Sequence, residues 1–171
     1  MPLRGLHTSA RSSLKPVNWV MLFGILFLIF MYLRKKIFSP DSGNGIYTVL
    51  RSNGFSDELS KWITSQSAFE TANFSSNIFK NNNNAFGMKY AGQTIALGEK
   101  NGYANYKSVT DSIADLINWY NRHRRRLLSF PLVINSLSDY VKFLKNEHYF
   151  EAPESSYLAG VAYYHKLFYN G

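Results

Sequence analysis

The sequence predicts an α+β fold: a mostly helical domain carrying one small β-lobe, preceded by one N-terminal transmembrane helix. Three observations predict it. Between Lys15 and Arg34 no residue is charged. From residue 46 onward, five segments read as helices from their caps and apolar spacing. Between the second and third of these, Lys89 to Tyr106 carries turn signals at Ala91-Gly92 and Asn101-Gly102, and Asn-Gly is the strongest short hairpin signal.

Residues 1–15 form a basic tail, and residues 16–33 are the candidate span. Its core runs from Val20 to Met31, with Trp19 and Tyr32 where interfacial aromatics are expected. The run is apolar all round and sharply bounded by charge, which disfavours a buried helix of a soluble protein. A cleaved signal peptide would need small residues after the run, and Arg34-Lys35-Lys36 follows instead. The acid-free, Arg/Ser-rich start also resembles a mitochondrial presequence, but an uncleaved anchor is the reading that fits the span. Residues 34–45 are a basic juxtamembrane segment and a polar linker ending in Ser42-Gly43-Asn44-Gly45.

Charge divides unevenly. Arg4, Arg11, Lys15, Arg34, Lys35 and Lys36 give residues 1–38 a charge of +6 with no acid, leaving +2 of the net +8 for the remainder. The basic balance therefore belongs to membrane flanks facing anionic headgroups, and no nucleic-acid partner is expected. Three basic residues on each side of the span leave its orientation open, and nothing in the sequence sets an oligomeric state. The chain has no cysteine, which excludes disulfides, thiolate metal sites and a cysteine nucleophile. Its four histidines are scattered, so no metal and no cofactor are expected.

Residues 46–171 make the compact domain. A short helix is expected from about Ile46 to Asn53, closed by Gly54. The next begins at Ser56 as N-cap, with Asp57 and Glu58 in its first turn. Phe55, Leu59, Trp62, Ile63 and Phe69 are its apolar stripe; Ser60, Lys61, Thr64 and Ser65 are expected on its polar face. Glu70 follows seven residues after Ile63 and so sits on the margin of the stripe. A carboxyl there is partly desolvated and can stay protonated near neutral pH as a general acid, or it can simply pair with a nearby lysine. Asn81-Asn82-Asn83-Asn84 and the Phe86-Gly87 turn come next, then the β-lobe. Helices are expected again from Ser108 to about Leu128, around Leu137–Leu144, and around Tyr157–Phe168. The basic run Arg122-His123-Arg124-Arg125-Arg126 reads either as a solvated helix face or as a contact for anionic peptide stems or headgroups.

Several motifs in series carry a resemblance. Glu70-Thr71-x-Asn73-Phe74-x-Ser76, Asn83-Asn84-x-Phe86-Gly87-Met88-Lys89 and Tyr103-x-x-Tyr106-x-Ser108-x-x-Asp111-Ser112-Ile113-x-Asp115 stand in order, followed by Tyr149-Phe150-Glu151 and Tyr157-x-x-Gly160-Val161. Together they resemble the glucosaminidase family of peptidoglycan hydrolases, the family 73 glycoside hydrolases of lysozyme-like fold, over about residues 49–171. The family usually has Gly where this chain has Ala72, and Leu where it has Ala85.

The resemblance implies a catalytic domain at 46–171 that cleaves a β-1,4 bond of peptidoglycan glycan strands, with Glu70 as the general acid. It implies a second carboxylate from the β-lobe, where Glu99 is the only acid between Glu70 and Asp111. It places Asn83, Asn84 and Phe86 on the cleft floor, unless the asparagines merely cap the turn, and Tyr106 and Tyr149 near the acid, with Tyr157 as the alternative to them. The implied protein is a membrane-anchored wall hydrolase, bacterial or from a phage virion. The rival reading is a non-catalytic glycan-binding or membrane-associated assembly protein on the same scaffold.

Overall fold

The chain divides into two units, Met1–Arg34 and Lys35–Gly171. The computed structural model describes residues 42–127 and 134–169, all in the second unit. Among the described residues no helix is long and apolar enough to cross a membrane. The expected span 16–33 and its basic flanks lie outside them, as do the side chains of Arg124, Arg125 and Arg126.

The described part is mostly helical with one two-stranded sheet. In order, α1 is Gly43–Ser52, α2 Asp57–Glu70, α3 Asn77–Asn82, β1 Gly98–Lys100, β2 Tyr103–Asn105, α4 Val109–Leu127, α5 Leu137–Asn146 and α6 Glu154–Tyr169. The helices start where hydroxyl caps predict them. Ser42, Ser56, Ser76 and Ser136 each accept a hydrogen bond from the backbone three residues on. Because Ser42 caps α1, that helix begins at Gly43, three residues earlier than expected.

Helix α2 is the centre of the domain. It packs against α1 on one side and α6 on another, while α5 closes on α6 and α1 also meets α4. The expectation of a solvent-facing polar side on α2 is therefore corrected. Ser60, Thr64 and Ser65 are all fully buried. Two of these hydroxyls are satisfied by the helix itself: Thr64 Oγ1 donates to Ser60 O at 2.7 Å and Ser65 Oγ to Lys61 O at 2.8 Å. A hydroxyl bonded to the preceding turn can enter a core without a partner from elsewhere. Of that face, Lys61 alone stays at the edge, paired with Asp57 and Glu58 at 2.7 and 3.0 Å.

The chain leaves α2 through an unusual turn. Ala72, Asn73 and Phe74 have φ of 49°, 55° and 62°, three successive left-handed residues. Thr71 holds them: its Oγ1 donates to Ser67 O and accepts from Phe74 N, and its carbonyl accepts from Ser75 N and Ser76 N.

The β-lobe is smaller than the sequence suggested. Two three-residue strands pair antiparallel, with Glu99 opposite Ala104, and Asn101 and Gly102 form the turn with φ of 56° and 79°. Positive φ at both central residues gives the twist a two-residue hairpin needs. Ala91-Gly92 is a loop closed by the Gln93 side chain, which bonds Ala91 N and Lys89 O; it is not a second hairpin.

Candidate active site

The asparagine run ties this lobe to the helices. Asn82 Nδ2 donates to Lys100 O at 2.8 Å, and Asn83 Nδ2 to Tyr106 O at 2.9 Å. Asn84 is fully buried. Its amide nitrogen donates to Met88 O and Ala104 O, and its oxygen accepts from Phe86 N and Met88 N. Every bonding position on that amide used here goes to backbone, so the expectation that Asn84 binds sugar is corrected. It shapes the 84–88 loop. Ser67 Oγ donates to Ala85 O at 2.6 Å, and Ala85 N donates to Ser112 Oγ at 2.9 Å, so α2 and α4 both grip the same loop. Ala85 itself is fully buried.

The loop is held this firmly next to Glu70. Gly87 has φ +61°, and a Cβ there would stand 3.2 Å from Glu70 Oε2. Glycine is required twice over, for the left-handed backbone and for the close approach. On the other side of the carboxyl is an aromatic wall. Phe69 meets Tyr157 edge-on at 5.2 Å, and Phe150 stacks flat on Tyr157 at 3.7 Å. Tyr157 Oη donates to Glu70 Oε1 at 2.5 Å. Burial pushes the Glu70 carboxyl above its ordinary value, and the Tyr157 hydrogen bond opposes the rise by favouring the charged form.

Glu70 opens into a cleft of about 970 Å³, whose lining includes Phe86, Gly87, Trp119, Tyr149 and Tyr157. Tyr149 Oη donates to Phe86 O at 2.8 Å, which links the α5–α6 connection to the loop beneath the acid. Burial and the nearby Glu70 carboxylate raise the phenols of Tyr149 and Tyr157 well above their usual range.

A family model for Glucosaminidase, described as mannosyl-glycoprotein endo-beta-N-acetylglucosaminidase, matches residues 56–169. The chain belongs to the glucosaminidase family. No curated protein and no solved structure matches it. The match begins at the cap of α2 and ends at the last turn of α6, so it contains every element that builds the cleft. Membership makes the chain a glycoside hydrolase of the endo-β-N-acetylglucosaminidase type and implies a peptidoglycan substrate.

In this glucosaminidase the cleft brings Glu70, Phe86, Tyr149 and Tyr157 together and leaves the other expected residues outside its lining. Glu99 is one of them. It is exposed on β1, and its Oε1 accepts from Gly102 N at 3.3 Å, so it serves the hairpin turn. Tyr106 is another. It is buried behind the loop, donating to Asp115 Oδ2 at 2.7 Å. Asn83 stands at the left-handed end of α3 with φ 49°. Among the described residues no group of three His, Cys, Asp or Glu side chains could hold a metal ion.

Among the lining residues not foreseen as site residues are Trp119, His148 and Glu151, while Arg122 belongs to the basic run read above as either a solvated face or a contact for anionic peptide stems. Trp119 had a signal in the sequence, since it follows Leu116 by three residues on the edge of the α4 stripe. Glu151 is exposed and stands 3.6 Å from Lys89.

Proposed function

We propose that this glucosaminidase is a membrane-anchored peptidoglycan hydrolase in which Glu70 protonates the oxygen leaving from a β-1,4 bond between N-acetylglucosamine and N-acetylmuramic acid. The setting of Glu70 carries the reading. Its carboxyl lies in an aromatic wall, is oriented by one phenol, faces an open cleft, and has its pKa raised by burial. A carboxyl that keeps its proton above the ordinary range is what general acid catalysis of glycoside cleavage requires. Phe86 is buried in the core, so the partly exposed rings of Trp119 and Tyr149 are the apolar platforms open to sugar rings.

With Glu99 outside the lining, the second role falls to Glu151, the other carboxylate of the lining, taking the proton from an attacking water, or to the substrate's own acetamido oxygen as nucleophile. A water would invert the anomeric centre; the acetamido route would retain it. For location, the uncharged run 16–33 and its basic flanks support an anchor in a bilayer. Two settings fit it: a bacterial inner membrane with the domain in the periplasm, or the membrane of a phage virion acting in entry or lysis.

The test is digestion of purified peptidoglycan with mass spectrometry of the products. Reducing-end N-acetylglucosamine is expected. Reducing-end N-acetylmuramic acid would make the enzyme a muramidase, and anhydro-muramic acid a lytic transglycosylase. Glu70→Gln should stay folded and lose on the order of 10²–10⁴ in rate. A folded Glu70→Gln protein that clears the wall at the parent rate would remove Glu70 from this role, whereas a folded wild-type protein that leaves the wall intact would favour the glycan-binding alternative.

A further inference from the structure

We propose that Arg122, with His148 in the same cleft lining, forms a carboxylate-binding subsite that selects glycan strands bearing acidic substituents over neutral ones. The inference rests on the peptidoglycan reading above and names what distinguishes that substrate chemically.

Arg122 lies three residues after Trp119 on α4, and side chains at that spacing share a helix face. Both line the cleft that holds Glu70. Trp119 in turn packs edge-on against Tyr149 at 5.0 Å, and Tyr149 bonds the Phe86 carbonyl next to Gly87. A sugar in this cleft therefore has both the Glu70 carboxyl and the Arg122 guanidinium among the groups that line it. His148 precedes Tyr149 directly and also lines the cleft, in a left-handed backbone conformation with φ 55°. A non-glycine residue in that conformation is uncommon and re-aims its side chain relative to the neighbouring helix.

The charge on Arg122 is not taken up within the domain. It forms no ion pair among the described residues, whereas Lys89 in the same lining is 3.6 Å from Glu151. Burial raises the pKa of Asp115, with the Tyr106 hydrogen bond and then the Arg122 field opposing the rise, and that buried carboxylate already accepts the Tyr106 phenol. Arg122 is exposed on α4, one turn beyond the cleft tryptophan and within the cleft lining. A guanidinium presents a planar fork of donors matched to a carboxylate. Neutral N-acetylglucosamine polymers offer no such group. Peptidoglycan offers it from two sources, the lactyl ether of muramic acid and the stem peptide.

Binding would be measured by calorimetry on the full-length protein in detergent, in a Glu70→Gln background to prevent turnover. Three soluble ligands of matched length are compared: strands with stem peptides, strands stripped of peptides so that lactyl carboxylates are free, and neutral N-acetylglucosamine oligomers. The parent should bind an anionic ligand about three- to tenfold more tightly than the neutral one, the margin expected of a partly exposed charge-assisted contact. A margin on peptide-bearing strands assigns the stem peptide; a margin on stripped strands alone assigns the lactyl group. Arg122→Gln should erase the margin with the neutral affinity kept, and Arg122→Lys should restore part of it. Equal affinities in the parent, or a margin that survives Arg122→Gln, overturn the proposal. If purified peptidoglycan is cleaved while the margin is absent, only this inference falls; if it is not cleaved, the parent reading falls and this one with it.

Discussion

Tyr157 acts on Glu70 in two ways that have opposite effects on the reaction. Its hydrogen bond fixes the carboxyl in the cleft, and the same bond favours the ionised form, holding back the rise that burial causes. Tyr157→Phe keeps the ring, and with it the packing on Phe69 and Phe150, but leaves burial unopposed. The Glu70 pKa then rises further. A general acid must hold its proton, so the alkaline limb of kcat/KM reports its ionisation in the free enzyme. Tyr157→Phe is expected to move that limb to higher pH and to lower the plateau rate, because the carboxyl loses its orientation. Rates on solubilised peptidoglycan across a pH series would show this, and a limb that moves to lower pH would contradict it. Stability follows the same sign. A carboxyl with a raised folded-state pKa contributes fully below its ordinary value of 4.5, and that contribution is lost as pH rises through the folded pKa. Glu70→Gln is neutral throughout, so its melting temperature should gain on the parent as pH rises from below 4.5 toward neutrality.

The elements show which contacts the fold depends on most. Gly160 on α6 sits over Phe69 of α2, where an added Cβ would fall 2.2 Å from the ring. Alanine gains roughly 1 kcal/mol of helix propensity, but overpacking costs about 1–3 kcal/mol and the ring is hemmed by Tyr157. Gly160→Ala should therefore lower the melting temperature, and it should reduce activity as well because Phe69 adjoins Glu70. Ala72 is the reverse case. Its φ of 49° costs an L-residue about 1–2 kcal/mol, and glycine would relieve that at an unfolded-state cost of about 0.5–1 kcal/mol. Ala72→Gly should be neutral or stabilising by up to about 1 kcal/mol in denaturant unfolding. Much of this architecture was legible beforehand, since Ser56, Asp57 and the Asn101-Gly102 pair are local signals that act over three or four residues. The buried hydroxyl face of α2 was not legible, because periodicity records polarity and cannot see a hydroxyl bonding its own helix. Asn84 and Glu99 were misplaced for a related reason. Whether an amide faces a cleft or a backbone, and where a hairpin tip lies relative to a distant helix, is decided by tertiary closure.

At the scale of the whole molecule, charge and chemistry are segregated along the chain. Residues 1–38 carry +6 of the net +8, while every cleft-lining residue falls between Phe69 and Tyr157. The domain's described core runs from Ile46 to Val161, on the six helices and the connections that carry Phe55, Ala85, Phe86 and Met88. The proposed anchor therefore predicts a separable protein. Full-length chain should partition into detergent or liposomes, held by a run of eighteen uncharged residues flanked by cations. A chain starting at Asp41 keeps Ser42, the cap of α1, and should be soluble with a cooperative melting transition. Its kcat/KM on soluble glycan strands should match that of the full-length protein in detergent, because nothing that lines the cleft has been removed. Clearance of intact walls is a different measurement, and there the two forms should diverge, since only the anchored form is held at the surface it degrades. Aggregation of the chain from Asp41, together with full-length protein that stays soluble without detergent, would place residues 16–33 inside the domain core and overturn the anchor.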